Sequence, residues 1–197
     1  MLLNFDNSLP LHVIGKGVSS VDFNHMLNQE SVNPTVISIS MEEVKSLPMG
    51  AQCVLGFLDV TARKQFLQDI DVSRYQWPSY IHPLALVSSH HLIGQGVWIY
   101  NWVSVFPEVS IGEFSVVSTF TNLPHGCQIG CNNFIGPGVL FGGSATTGDN
   151  VFIGIGSKIC DNVSIAGETY FAMNSTITKS ITEPGTYVNN RQTTLIK

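Results

Sequence analysis

The 197-residue chain is short of charge. Asp, Glu, Lys and Arg make up 12% of its residues, against about a quarter in an average soluble protein. Hydrophobic residues reach 44%, so we expect part of the surface to be covered by other copies of the chain. The formal net charge of −5 argues against a nucleic-acid partner, which would need a basic face.

Long apolar runs and a regular cysteine pattern are also missing. No stretch approaches the roughly 18 consecutive apolar residues of a membrane span. The first residues, MLLNFDNSLP, lack the basic and apolar segments of a secretory signal, so we expect a cytoplasmic protein. The four cysteines, at 53, 127, 131 and 160, do not have the spacing of a zinc site. Neither a metal centre nor a disulfide is therefore expected.

What the chain does have is a repeat of six residues. Every sixth position from Ile93 to Ile177 carries a large apolar residue, and only Thr147 interrupts the series. Glycine often follows the apolar residue, and a small or β-branched residue often stands four places after it. Neither a helix nor an alternating strand has this period. It indicates a chain that turns a corner every six residues, so that three sides close a triangular β-helical coil of about 18 residues.

The first 80 residues follow a different pattern. Segments rich in β-branched and apolar residues predict strands at 11–15, 35–40 and 51–57, and amphipathic segments predict helices at 18–29 and 61–70. Strands that alternate with helices predict a small parallel sheet of the Rossmann-like βαβαβ type. We therefore divide the chain into a βαβαβ domain (1–80), a β-helix (81–182) and a C-terminal extension (183–197).

The repeated [LIV]-G-x-x-[small]-x pattern, which ends in AMNSTITKSITEPGTYV at 172–188, resembles the left-handed β-helix hexapeptide acyltransferases. The N-terminal βαβαβ pattern and the Ile81-His82-Pro83 junction narrow the resemblance to nucleotide-sugar N-acetyltransferases of the PglD and NeuD type. The resemblance implies a homotrimer with active sites between subunits. It also implies that the N-terminal domain holds a nucleotide-linked amino sugar, that the β-helix holds acyl-CoA, and that the product enters bacterial surface glycans.

One histidine in the repeat is a candidate general base. His125 follows Leu123 by two places, a phase that points outward near a corner, and Gly143 has the same phase one coil further on. A neutral imidazole can accept a proton near pH 7, and a bare backbone amide can stabilise an oxyanion. The resemblance implies the same roles for these two residues. The expected reaction is direct attack of a sugar amine on acetyl-CoA, or another short acyl-CoA, with no covalent enzyme intermediate.

The other candidate residues come from charge and from the resemblance. No Lys or Arg lies between Arg74 and Lys158, so we expect the CoA phosphates near the later cations. The turn after the first predicted strand could direct backbone amides at a phosphate, or be a plain tight turn. The expected acyl-CoA contacts are Gly142, Gly143, Lys158, Met173 and Lys179, and the expected contacts to the sugar substrate are Gly15, Lys16, Gly17, His82 and Ser118.

The chain also departs from the family pattern. The family flanks its histidine with an acidic residue, whereas the neighbours here are Pro124 and Gly126. Asp149, Glu113 or a residue of an adjacent subunit could orient the imidazole instead. Met173 replaces a glycine of the pantetheine channel, Ser118 replaces an asparagine of the substrate pocket, and Glu42 and Glu43 replace an aspartate pair that binds the nucleobase. The nucleotide, the sugar and the acyl chain therefore stay open.

Three other functions are compatible with the same solenoid. The first is acetylation of a sugar hydroxyl, which is chemically close to the main hypothesis. The second is a catalytically degenerate binding or assembly module. The third is a metal site of the carbonic-anhydrase kind built from His90, His91 and His125, but adjacent residues on a strand point to opposite faces, which disfavours it.

Overall fold

The computed structural model describes residues 2–3, 5–6, 8–15, 35–89 and 91–188. Its N-terminal part contains a three-stranded parallel sheet, in which Leu11–Ile14 lies between Val36–Ile39 and Gln52–Leu55. The side chain of Asp59 caps the helix of this part by accepting a hydrogen bond from the Ala62 amide at 2.7 Å. The N-terminal elements are β1 (Leu2–Leu3), β2 (Leu11–Ile14), β3 (Val36–Ile39), the 3-10 helix Glu43–Ser46, β4 (Gln52–Leu55), α1 (Val60–Asp69) and the 3-10 helix Val72–Arg74.

The three predicted N-terminal strands and the helix before the solenoid are confirmed, with bounds that differ by one or two residues. The predicted helix at 18–29, together with Lys16 and Gly17, lies outside the described residues. Of the described strands, β1 departs from the parallel pattern, because it pairs antiparallel with the first strand of the solenoid.

The rest of the described chain is a parallel β-solenoid of about six turns. Each strand is short because the chain turns a corner after every hexad. The strands are β5 (Ser79–Ile81), β6 (Leu86–Val87), β7 (His91–Ile93), β8 (Trp98–Ile99), β9 (Ser104–Val105), β10 (Val109–Ile111), β11 (Val116–Val117), β12 (Asn122–Leu123), β13 (Gln128–Ile129), β14 (Phe134–Ile135), β15 (Leu140–Phe141), β16 (Thr146–Thr147), β17 (Phe152–Ile153), β18 (Lys158–Ile159), β19 (Ser164–Ile165), β20 (Thr169–Phe171), β21 (Thr176–Ile177) and β22 (Gly185–Tyr187).

These strands form the three faces of a triangular prism. Face 1 contains β5, β8, β11, β14, β17, β20 and β22; face 2 contains β6, β9, β12, β15, β18 and β21; face 3 contains β7, β10, β13, β16 and β19. From coil to coil the paired residues differ by 18, as in Val117 with Ile135 and Ile111 with Ile129. At the C-terminal end, where β20 pairs with β22, they differ by 16. The chain passes from face 1 to face 2 at edge 1–2, then to face 3 at edge 2–3, and returns at edge 3–1.

The apolar position of each hexad points into the prism. Ile99, Ile135 and Ile153 are fully buried there, and each such side chain contributes about 1.5–3 kcal/mol relative to an exposed one. The small residues four places later are also buried at the corners, as Val97, Val139 and other members of the core show. The β-helix predicted from the six-residue period is confirmed.

Thr147, the polar member of the series, has a hydrogen-bonding role. Its hydroxyl oxygen accepts a hydrogen bond from the Asn133 side-chain amide at 2.7 Å and another from the Gly130 amide at 3.1 Å. Asn133 is fully buried, and its side-chain oxygen accepts from the Val151 amide. A threonine inside the prism therefore satisfies a buried asparagine that links three consecutive turns of the chain.

Thr147→Val keeps the shape of this side chain but removes the acceptor. Because one buried and one partly buried donor lose a partner, we expect the free energy of unfolding to fall by about 1–3 kcal/mol. Urea unfolding measures this change. Thr176→Val, at an exposed position of β21, is the matched control and should stay within about 0.5 kcal/mol of the wild type; equal effects of the two changes would contradict the role assigned to Thr147.

The N-terminal sheet packs on the outside of face 1. Leu11, Val13 and Val54 of the sheet share a hydrophobic cluster with one outward-facing residue from each of the first five coils of that face. The aromatic members of this column continue it as a stack, with ring centroids of Phe152 and Tyr170 4.3 Å apart. The column consists of Tyr80, Trp98, Val116, Phe134, Phe152 and Tyr170.

Polar contacts fix α1 along edge 3–1. The side-chain amide of Asn132 donates to the Val60 carbonyl at 3.0 Å and to Asn150 at 2.8 Å. Asn150 in turn donates to Glu168, which also receives the Lys64 ammonium at 2.8 Å. The described N-terminal elements thus dock on face 1 and edge 3–1. Edge 2–3, which lies opposite face 1 in a triangular prism, is on the far side from this contact.

Candidate active site

His125 projects from edge 2–3. It sits in the turn between β12 on face 2 and β13 on face 3, and its side chain is exposed, as its position in the hexad predicted. The turn is tight because the Cys127 amide returns to the Pro124 carbonyl and Gly126 adopts a positive φ of 70°. The imidazole therefore faces outward, away from the aliphatic core.

Gly143 lies directly beside this imidazole, one coil further on. A β-carbon at position 143 would be 2.9 Å from both Cε1 and Nε2 of His125, so only glycine lets the ring rest over the next turn. The Ser144 amide donates to the His125 carbonyl at 3.0 Å, which holds the two turns in register. The proximity of these two residues, expected from their separation of 18, is present in the structure.

The amide that we expected to bind the thioester carbonyl already has a partner. The Gly143 N–H donates to Oδ1 of Asp161 at 2.6 Å. By contrast, the Gly142 N–H donates to the Ile159 carbonyl of the sheet ladder at 2.7 Å. The Gly143 amide is the exchangeable one of the two, because its partner is an exposed side chain rather than backbone.

Neither carboxylate that the sequence suggested as a partner for His125 lies near it in the same chain. Asp149 and Glu113 belong to edge 3–1, and Asp149 accepts a hydrogen bond from the Cys131 amide at 2.7 Å. Within the described residues of its own chain, the His125 ring has no hydrogen-bonding or ionic partner. The expectation that Asp149 or Glu113 orients the ring within one subunit is wrong, because a whole face of the prism separates the two edges.

The nearest cysteine does not offer a nucleophile. Cys127 is buried two residues after His125, and its thiol contacts the Gly142 carbonyl at 3.3 Å. Burial raises the pKa of the Cys127 thiol to about 11, so it is protonated at neutral pH. The site is therefore suited to direct transfer rather than to a thioester on the enzyme.

The two candidate cations lie on the C-terminal side of His125. Lys179 is exposed on edge 2–3, in the same column as His125 and Gly143. Lys158 is exposed on the outer surface of face 2, between Leu140 and Thr176 in the adjacent coils. Both ammonium groups can therefore meet an anion that runs along this edge toward the C-terminal coils.

Other predicted site residues are far from His125 within one chain. Met173 is 65% exposed on edge 1–2, where Ser118 is buried and where His82 accepts the Leu84 amide at 3.1 Å. Gly15 follows β2 in the N-terminal sheet, with a φ of +95° and the Phe57 ring against it, so a side chain at this position would be strained and crowded. The structure thus groups His125 with Gly142, Gly143 and Lys179, and separates it from Gly15, His82, Ser118 and Met173.

A cleft of about 380 Å³ lies in the two coils that precede His125 along the chain. Its turn is continuous with that of the histidine, since the Gly126 amide donates to the Pro107 carbonyl at 3.3 Å. Sequence reasoning missed Glu108, although its separation of 17 residues from His125 already places it in the adjoining coil of the same edge. The cleft is lined by Ser89, His91, Leu92, Glu108, Val109 and Ser110.

Two further properties concern the described residues as a whole. Among them, no group of three or more His, Cys, Asp or Glu side chains is placed to hold a metal ion. None of the described helices has both the length and the apolar character to cross a membrane.

Comparison with known proteins bears on the fold. The acetyltransferase domain of PglB from Neisseria gonorrhoeae FA1090 matches with a TM-score of 0.80 and 20% identity, over 94% of this chain and 99% of that one. An alanine variant of the GDP-perosamine N-acetyltransferase from Caulobacter crescentus, solved with CoA and GDP-perosamine, matches with a TM-score of 0.80 and 15% identity, over 96% of each chain. This chain has the fold of these acetyltransferases.

Sequence comparison covers less of the chain. The GDP-perosamine N-acetyltransferase of Escherichia coli O157:H7 is 33% identical over 82 residues, which are 42% of this chain and 37% of that protein. The match thus spans little more than a third of that relative's length. No protein-family model matches the chain. The resemblance that the hexads and the N-terminal sheet indicated is confirmed at the level of the fold.

The geometry predicts different outcomes for two adjacent glycines. In Gly143→Ala the new methyl group meets only the His125 ring, so we expect a small change in unfolding free energy but a displaced imidazole. In Gly142→Ala the methyl group meets the backbone nitrogen of Asp161, and we expect a loss of about 1–3 kcal/mol. Urea unfolding and the NMR shift of the His125 ring protons measure both effects. A Gly143→Ala protein with an unshifted ring would refute the stacking.

Proposed function

We propose that this protein transfers an acetyl or other short acyl group from acyl-CoA to the amino group of a nucleotide-linked amino sugar. The observation that carries the proposal is the His125 imidazole resting over Gly143 on an exposed edge of the solenoid. Support comes from solved proteins of the same fold, one of which holds CoA and GDP-perosamine. A cytoplasmic location and a role in bacterial glycan synthesis belong to the proposal.

The chemistry follows from the positions of these two groups. The sugar nitrogen attacks the thioester carbonyl carbon, a C–N bond forms, and the Gly143 N–H stabilises the oxyanion of the tetrahedral intermediate. His125 Nε2 accepts the proton that the amine loses. The C–S bond then breaks, and the imidazolium returns that proton to the departing thiolate. The products are an amide and CoA, with no enzyme-bound intermediate.

The substrates are proposed to approach His125 from opposite sides. The phosphates of CoA extend toward Lys158 and Lys179, because these cations lie toward the C-terminal coils. The cleft at Glu108 is then left for the acceptor, and its carboxylate can accept a hydrogen bond from the neutral amine of an amino sugar. The hydroxyl groups of Ser89 and Ser110 and the side chain of Leu92, which also line this cleft, add the mixture of polar and apolar contacts that a sugar ring requires.

The placement of the N-terminal sheet supports catalysis between subunits. This sheet packs on face 1, whereas His125 lies on the opposite edge of the same prism. A nucleotide sugar held by the described part of the N-terminal domain would thus lie away from the His125 of its own chain, which favours the His125 of another copy. We therefore propose a homotrimer, in which residues of edge 1–2 such as His82, Ser118 and Met173 face the His125 of a neighbour.

Edge 1–2 has the surface of a subunit interface. Trp102 and Phe120 stack there with centroids 4.8 Å apart, and they are 51% and 59% exposed in the single chain. Both have a positive φ, which bulky residues adopt at a cost of roughly 1–2 kcal/mol. The same column has Gly138 and Gly156 in later coils. The presence of Trp102 and Phe120 at these strained backbone positions is explained if another subunit covers their side chains.

Phe120→Asn tests this interface. Asparagine tolerates a positive φ better than phenylalanine, so the subunit should stay folded while the contact is lost. We expect light scattering to give three times the chain mass for the wild type and a smaller mass for the variant, with thiol release reduced in parallel. Met49→Asn, which alters an 83% exposed residue of the N-terminal part, should change neither. A Phe120→Asn protein that remains trimeric would argue against this edge.

His125→Ala tests the general base. The wild type is incubated with acetyl-CoA and a panel of UDP-, dTDP- and GDP-linked 4-amino sugars, GDP-perosamine included, while free thiol is followed. We expect turnover with at least one sugar and a loss of roughly 10²-fold or more in kcat for the variant. Gln128→Ala, an exposed change on the adjacent face 3, is the control. Turnover that persists in His125→Ala would contradict the assignment of His125 as the general base. No turnover of the wild type with any sugar would contradict the proposed function.

Transfer to an amine is favoured over transfer to a hydroxyl by one observation. No described residue of the same chain pairs with the His125 ring, so no described carboxylate of the subunit assists the ring in removing a proton. A hydroxyl depends on proton removal during attack more than an amine does. Sugar O-acetylation is thus the second candidate, and it predicts thiol release with a hydroxyl analogue of the best amino sugar.

A further inference from the structure

Asp161 is hydrogen-bonded to the backbone amide that the proposed reaction needs. Its carboxylate oxygen accepts the Gly143 N–H at 2.6 Å, which is the short distance typical of a charge-assisted hydrogen bond. Asp161 belongs to edge 2–3, one coil beyond Gly143 and two beyond His125. The inference below rests on the proposed function, because it concerns the same amide.

The carboxylate lies closely against a surface made of two glycines. A β-carbon at position 142 would be 2.5 Å from Oδ1 of Asp161, and one at 143 would meet the His125 ring instead. The bare backbone between the imidazole and the carboxylate is therefore in contact with both. Because the Asp161 side chain is exposed, it can rotate into water without breaking the sheet ladder.

The same hydrogen bond recurs on another edge without a histidine. On edge 3–1 the Cys131 N–H donates to Oδ1 of Asp149 at 2.7 Å, again one coil away. On both edges, an aspartate side chain thus accepts a hydrogen bond from an outward-pointing backbone amide of the preceding coil. On edge 3–1 the role of this hydrogen bond is structural. Of these two amides, that of Gly143 also adjoins an imidazole, whereas that of Cys131 does not.

We propose that Asp161 is a latch on the thioester site. In the resting protein its carboxylate accepts a hydrogen bond from the Gly143 N–H. It releases this N–H when the carbonyl of an acyl-CoA binds. An acyl-CoA must displace the carboxylate, whereas free CoA has no carbonyl at this point and leaves the bond intact. Asp161 therefore weakens the binding of the substrate relative to the product, and after transfer it takes back the amide as CoA departs.

Calorimetric titration of acetyl-CoA and of CoA into four full-length proteins tests the latch. These are the wild type, Asp161→Ala, Asp161→Asn and Asp149→Ala. For Asp161→Ala we expect the Kd of acetyl-CoA to fall about ten-fold, since the competing charge-assisted bond is gone, and the Kd of CoA to change less than about two-fold. Asp149→Ala removes the matched bond on edge 3–1 and should alter neither constant.

Asp161→Asn separates the latch from a general effect of charge. Its side-chain oxygen can still accept the Gly143 N–H, so acetyl-CoA should gain less than in Asp161→Ala. If repulsion between Asp161 and the CoA phosphates were the cause instead, both variants would tighten acetyl-CoA and CoA equally. That outcome, or no change with either ligand, would overturn the latch.

An NMR measurement at the Gly143 amide distinguishes failure of the latch from failure of the proposed function. In the wild type, acetyl-CoA should shift this amide signal and CoA should leave it nearly unchanged. If neither ligand binds the wild type, the acyltransferase proposal fails and the latch falls with it. If acetyl-CoA binds but the Gly143 signal does not respond, the latch is wrong while acyl transfer stands.

Discussion

The parallel hydrogen bonding of one coil on the next is the interaction on which the structure depends. Because successive coils pair residues 18 apart over all but the last turn, residues of equal phase lie in columns along the prism. Inside, the columns are aliphatic and form one continuous core. Outside, the same stacking sets aromatic rings on one face and amides and carboxylates along one edge. A local feature at one coil therefore has a neighbour of defined identity at the next.

The candidate site is formed by one such column of residues, which runs along edge 2–3. Pro107, His125, Gly143, Asp161 and Lys179 follow one another at equal spacing, and each provides a different group. The glycine separates an imidazole from a carboxylate and leaves an amide between them. No residue of the column is buried, because the interior of the prism is complete without it. The edge is thus free to vary in chemistry while the core maintains the geometry.

The docking of the N-terminal sheet adds a second constraint. Since it packs on face 1 and its helix is fixed along edge 3–1, it lies away from the histidine of its own chain. The low charge of the sequence and the exposed aromatic pair on edge 1–2 point the same way. Both are accounted for by the proposed trimer, in which one copy supplies the imidazole and another supplies the acceptor.

The six-residue period determined the prism, because a hexad with one large aliphatic residue closes only if the chain turns at every repeat. It also placed His125 outside the core and Gly143 beside it, since both follow from phase alone. The tertiary structure decided what phase does not encode. Asp149 and Glu113 lie on another edge of the prism. Thr147 accepts a hydrogen bond from Asn133, and the Gly143 amide donates to Asp161. Rotamers and the side chosen by the N-terminal sheet depend on packing between segments far apart in the chain, and a six-residue pattern holds no information about that packing.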